Sequence, residues 1–246
     1  MLISFAVFGL ASCTENPASP TSGTTNVIMV TAIDNSGGHS SLSSSINGVS
    51  PPGSTVDSII VTTAGFIVSD FSIRSDTADT DPQDNLFLQQ IRPEQFMLNF
   101  DIAGKQYIGE RQTTAAIYRS ARFSVHWASG KPDSLAQALN NTYVTLFGGS
   151  ATFIPGATIV IKGFVYQGES QEPFLYATHI NGALRVIFDP VLNVPASGAP
   201  ITMAVKFTTA RAFSSGGMMM DPRDFHNQAA IEANLPTTLR GSISGS

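Results

Sequence analysis

A chain of 246 residues with 42% hydrophobic side chains is long enough to bury a substantial core, in one domain of the size common among β-sandwiches or in two small ones. Its 13 basic residues against 18 acidic ones, with 13% of the chain charged, offer no run of cations to follow a phosphate backbone, so nucleic acid is not an expected partner. A single cysteine rules out a disulfide framework and a thiolate metal site.

Leu2 to Ala11 form an apolar run that ends in Leu10-Ala11-Ser12-Cys13. The run is too short to span a bilayer, which takes about 20 residues, but it suits the h-region of a signal peptide. Small residues directly before the sole cysteine resemble a bacterial lipoprotein signal, although residues 1–12 lack the usual Lys or Arg. The resemblance implies cleavage before Cys13, acylation of that residue and attachment to a membrane through lipid. Thr14 rather than aspartate after the cysteine implies the outer membrane or cell surface. The alternative is a soluble protein with an apolar first strand and a buried cysteine.

Residues 14–26 are rich in Pro, Ser and Thr without an apolar period and read as an extended tether, which leaves 27–246 as a single folded domain. A first strand is expected over Val27 to Ile33, then the turn residues Asp34-Asn35-Ser36-Gly37-Gly38 and an exposed loop from His39 to Thr55. Further strands are predicted over Ser58 to Ile73, Gln95 to Ile102, Ala116 to Trp127, Thr142 to Phe153, Thr158 to Tyr166, Phe174 to Phe188 and Ile201 to Phe207. Several alternate: Ile201, Met203, Val205 and Phe207 oppose Thr202, Ala204 and Lys206.

Such alternation predicts a mainly β fold, an antiparallel β-sandwich, Ig-like or related. Phe123, Val125, Trp127, Ile161, Ile187, Val205 and Phe207 are its expected core. One or two short helices are expected, LAQALNN after Pro132-Asp133-Ser134 and QAAIEANL after Asn227, the second ended by Pro236.

Asp189-Pro190 after an apolar strand, then Asp221-Pro222, then Asn227, Ile231, Glu232 and Asn234 in a closing helix are similar to secreted bacterial lipoprotein domains of unknown function. The likeness covers most of residues 56–243. It implies a lipid-anchored, mainly β domain outside the cytoplasm and carries no catalytic residue.

No nucleophile elbow, zincin helix, phosphate-cradling loop or dinucleotide fingerprint is present. His39, His126, His179 and His226 are too far apart in sequence to aim two imidazoles at one ion from a single element. The candidate metal site is the acidic run Asp76, Asp79, Asp81 and Asp84 with Asn85, whose oxygens suit calcium; no other cofactor is expected. Without a calcium ion these carboxylates form a solvated loop.

Glu169 and Glu172 read as charge on a hairpin turn rather than a glycosidase pair. Tyr118, Trp127, Tyr166 and Tyr176 offer either a sugar-stacking platform or core. Met218-Met219-Met220 reads as a hydrophobic hook. The expected function is a non-enzymatic binding or cell-envelope interaction module with an envelope protein or glycan as ligand. The alternative is a structural subunit assembling by strand addition.

Overall fold

Apolar and polar residues alternate along most of the chain, and a chain patterned this way buries one face by pairing strands. The computed structural model describes residues 21–38, 55–75, 88–92, 94–126, 141–148 and 156–244. In chain order its elements are β1 (Thr21–Asp34), β2 (Thr55–Val56), β3 (Ser58–Arg74), β4 (Leu88–Arg92), β5 (Phe96–Asp101), β6 (Gln106–Val125), helix α1 (residues 141–147), β7 (Ile159–Gln167) and β8 (Ser170–Thr178). They continue with β9 (Gly182–Val194), β10 (Ile201–Thr208), α2 (Thr209–Ala212), β11 (Ser214–Ser215), β12 (Met218–Met220), α3 (Gln228–Asn234) and β13 (Leu239–Ser244).

Five strands close on themselves. β1 pairs in parallel with β10, β10 antiparallel with β13, β13 in parallel with β9, β9 antiparallel with β6, and β6 antiparallel with β1. From β6 the sheet runs on through β3 and β7 to β8, with β4 and β5 on β3, and β11, β12 and β2 form a small second sheet. The mainly β expectation holds, but the sheet is a closed, mixed barrel with added strands where two antiparallel sheets were expected. Alternation along one strand fixes which face is buried and says nothing about the direction of its neighbour.

β3 shows how a long strand keeps one face inward. Ile59 and Val61 are buried, then Ala64, Phe66 and Val68, then Phe71 and Ile73, so the parity slips twice. The slips coincide with register shifts between Val61 and Thr63 against β7 and between Ser69 and Ser72 against β6. At the second, Asp70 takes a left-handed φ of 53°. Each bulge bends the strand and restores its apolar face to the core. Inside, Phe66 meets Phe100 edge-on at 5.4 Å, and Phe71 stacks on Phe123 at 4.3 Å. Gly241 has no room for a side chain, since a Cβ there would sit 2.1 Å from Phe188 Cδ1.

Residues 142–147 were expected in a strand and are helical. Tyr143 and Phe147, four apart, lie on one buried face of α1 and pack with Ala157 and Val160 in a second small core. The side chains of Leu146 and Phe147 lie against Gly65, which explains why Ala64 to Ser69 of β3 are buried without alternation. Lys162 Nζ reaches Phe147 O at 3.5 Å, a cation at the end of this helix.

Three further differences concern boundaries and register. Thr21 to Asn26, read as tether, belong to β1, where they pair with Ala115 to Gln112, and Thr25 Oγ1 donates to Pro195 O at 2.7 Å. Polar Thr side chains hid this end because they carry β propensity without hydrophobic alternation. Phe174 to Phe188 splits into β8 and β9. Ile187 is only half-buried, because Leu184, Val186 and Phe188 take the inner face and place Ile187 with Arg185 on the outer one. Phe123, Val125, Ile161, Val205 and Phe207 are buried as expected, while Trp127 and most of LAQALNN lie outside the described residues. QAAIEAN forms α3, followed by a 3₁₀ turn containing Pro236.

Candidate binding face

The closing segment spends its polar residues on attachment. Asp221 is buried at 4% exposure, and Arg223 grips it with Nη2 at 2.7 Å and Nε at 2.9 Å while also pairing with Glu172 on β8. The hydrogen bond to Asp221 is the main cause that raises the Arg223 guanidinium above its ordinary value. Asn227 Nδ2 donates to Asp221 O at 3.1 Å. Glu232 Oε1 accepts from Thr178 Oγ1 at 2.5 Å and from Gln228 Nε2 at 3.0 Å. Asn234 Nδ2 donates to Ser214 O at 3.0 Å, and Ile231 is fully buried. The pattern Asp221, Asn227, Ile231, Glu232, Asn234 therefore ties the C-terminal helix to the barrel.

The outer face of the barrel behaves differently. Lys206 on β10 stands directly opposite Arg240 on β13. Like charges facing each other across a strand pair repel. Burial first, then the charge of Arg211, hold the Arg240 guanidinium below its ordinary value, with Asp189 acting in the opposite sense. Among the described residues no carboxylate lies within ion-pair distance of Lys206, Arg211 or Arg240. A further row on the same strand pair holds Ala204 opposite Ser242.

Register places an aromatic on the same face of the barrel as these cations. Ala204 pairs with Val30 on β1, and Val30 pairs with Tyr107 on β6, so Tyr107 lies two strand spacings, about 10 Å, from Ala204. Tyr107 is 64% exposed. It also borders a cavity of about 90 Å³ between β4, β5 and the start of β6, lined with Arg92, Phe96, Met97, Asn99 and Gln106. Arg92 lies 4.2 Å over the Phe96 ring, and its Nε is 2.6 Å from Glu94 Oε1. The Glu94 backbone N–H outranks Arg92 as the cause that lowers the Glu94 carboxyl. Asn99 Oδ1 is buried with no hydrogen-bond partner. The volume holds about three waters or one substituent of a ligand.

The acidic run Asp76, Asp79, Asp81 and Asp84, with Asn85, and the expected lipidation residue Cys13 lie outside the described residues, as does His39. His126 Nδ1 sits 3.5 Å from Ser69 Oγ, and His226 Nδ1 2.8 Å from Asp224 Oδ1. Among the described residues no three His, Cys, Asp or Glu converge as metal ligands. Glu169 is in the β7–β8 turn as read from sequence, whereas Glu172 has a strut role with Arg223.

Tyr118 is core, donating its hydroxyl to Thr114 O at 3.0 Å, and Tyr176 is core with an unpartnered hydroxyl. Burial raises both phenols above their ordinary value. Met219 and Met220 are buried in the hook that sequence suggested. Tyr107, Lys206, Arg211 and Arg240 escaped sequence reading. The polar run around Tyr107 gives no strand signal, and Lys206 and Arg240 meet only through the β10–β13 pairing, with Arg211 joining them from α2. Compared with known proteins, the chain matches no family model, no curated protein and no solved structure.

Proposed function

We propose that this protein is a lipid-anchored, non-enzymatic binding module of the bacterial cell envelope, presenting the Tyr107–Lys206–Arg240 face to an envelope protein or glycan. The observation that carries the reading is register. Acylated at Cys13, the chain has residues 14–20 before β1, a reach of at most about 25 Å. Along β1, Ala32, which pairs with Lys206, lies about 35 Å from Thr21. The cationic and aromatic face thus stands at the end of β1 away from the lipid.

The intact mass of the mature protein tests the anchor, with a form beginning at acylated Cys13 expected and retention of residues 1–12 contradicting it. Full-length Cys13→Ala protein added to isolated envelopes tests the face. Binding should weaken at high salt and in the double variant Lys206→Gln, Arg240→Gln; binding indifferent to both would overturn the reading. The alternative, strand addition, rests on β8, which ends the sheet and has Leu175 48% exposed. Pro173 on that edge has no N–H to donate and disfavours a further strand.

A further inference from the structure

We infer that the ligand of the outer face is an acidic glycan, a chain of pyranose rings bearing carboxylate or similar anionic groups. This rests on the binding-face reading above. Lys206 faces Arg240 in register, and Arg211 repels Arg240 while Asp189 attracts it, so the face gathers three cations against one carboxylate, an arrangement that an anion laid across it would complement. Three cations are too few for the phosphate contacts, about six to ten, that a nucleic acid backbone engages. Tyr107 supplies what a charge-only ligand does not need, a flat, largely exposed ring on the same face. An aromatic face takes the apolar side of a sugar ring while its hydroxyl stays wet. Beside it the amides of Asn99 and Gln106 line a hollow of about 90 Å³, too small for a pyranose and sufficient for a ring substituent.

The test is calorimetric titration of the full chain with oligogalacturonate, a carboxylated pyranose chain. Maltooligosaccharide of equal length supplies rings without charge, and inorganic polyphosphate and a single-stranded oligonucleotide supply charge without stacked sugars as the main feature. Oligogalacturonate is expected to saturate the protein, with affinity falling about tenfold or more in Lys206→Gln, Arg240→Gln and about tenfold in Tyr107→Ala, each worth about 1.4 kcal/mol. The melting temperature of the double variant should hold or rise, which separates lost binding from lost fold. Equal or tighter binding of maltooligosaccharide, polyphosphate or oligonucleotide overturns the inference, as does Tyr107→Ala without effect. Failure of oligogalacturonate with salt-sensitive envelope binding intact overturns this inference alone. Failure of both overturns the binding-face reading as well.

Discussion

The closing segment and the outer barrel face use charge in opposite ways. Around Asp221, each charge has a partner: Arg223 bridges Asp221 and Glu172, and the neighbouring amides reach backbone carbonyls. Around Arg240, Lys206 stands opposite in register and, after burial, Arg211 lowers the guanidinium, both cations of the same sign, while Asp189 acts the other way. The first arrangement stabilises the fold. The second sets like charges opposite each other, and it is the concentration of cations on which the proposed binding reading rests.

The comparison breaks most visibly in the core both regions rest on. Phe207, fully buried and 6.0 Å from Phe100, should lose about 3 to 5 kcal/mol of stability as Phe207→Ala in denaturant unfolding. Arg223→Ala leaves the buried Asp221 carboxylate without its cation. Because the Arg223 side chain is 29% exposed, the expected loss is about 1 to 2 kcal/mol, below that of a fully buried pair. Lys206→Gln should lose nothing.

Two tyrosines sharpen the contrast between satisfied and unsatisfied polar groups. Tyr118→Phe deletes a hydroxyl that donates to Thr114 O and should cost about 1 kcal/mol, whereas Tyr176→Phe deletes a buried hydroxyl without a partner and should be neutral or stabilising. Thermal melts of the two variants side by side decide it, and equal losses would contradict the assignment. The smallest effect concerns pH. The backbone N–H of His226, then its side chain, hold the Asp224 carboxyl below its ordinary value. That contribution is present above the unfolded-state value and fades as pH falls through the folded one. Asp224→Asn should therefore flatten the acid dependence of the melting temperature slightly in that window, and an unchanged profile would remove Asp224 from the account.

What the sequence disclosed follows from where physical signals are local. Alternation in Ile201 to Phe207 and Ala121 to Val125 marked the buried faces correctly, and Asn227 with Pro236 bracketed α3. Parallel pairing and barrel closure depend on contacts far apart in the chain, such as Val27 with Ile201, and leave no local trace. α1 was misread because its neighbours Tyr143, Val144 and Phe147 have strand-like chemistry, and only packing on Gly65 and Val160 decides for the helix. The proposed binding face was invisible for the same reason as the parallel pairs. Tyr107, Lys206 and Arg240 lie on three strands, and only register brings them to one surface.

The central claim, that the outer face is held against its own stability, is tested most directly by denaturant unfolding of Lys206→Glu. Reversing this charge opposite Arg240 turns a repelling cross-strand pair into an attracting one, and the account predicts a gain of a few tenths to about 1 kcal/mol. A loss of stability in that variant would show that Lys206 is held by favourable contacts, and would contradict the account.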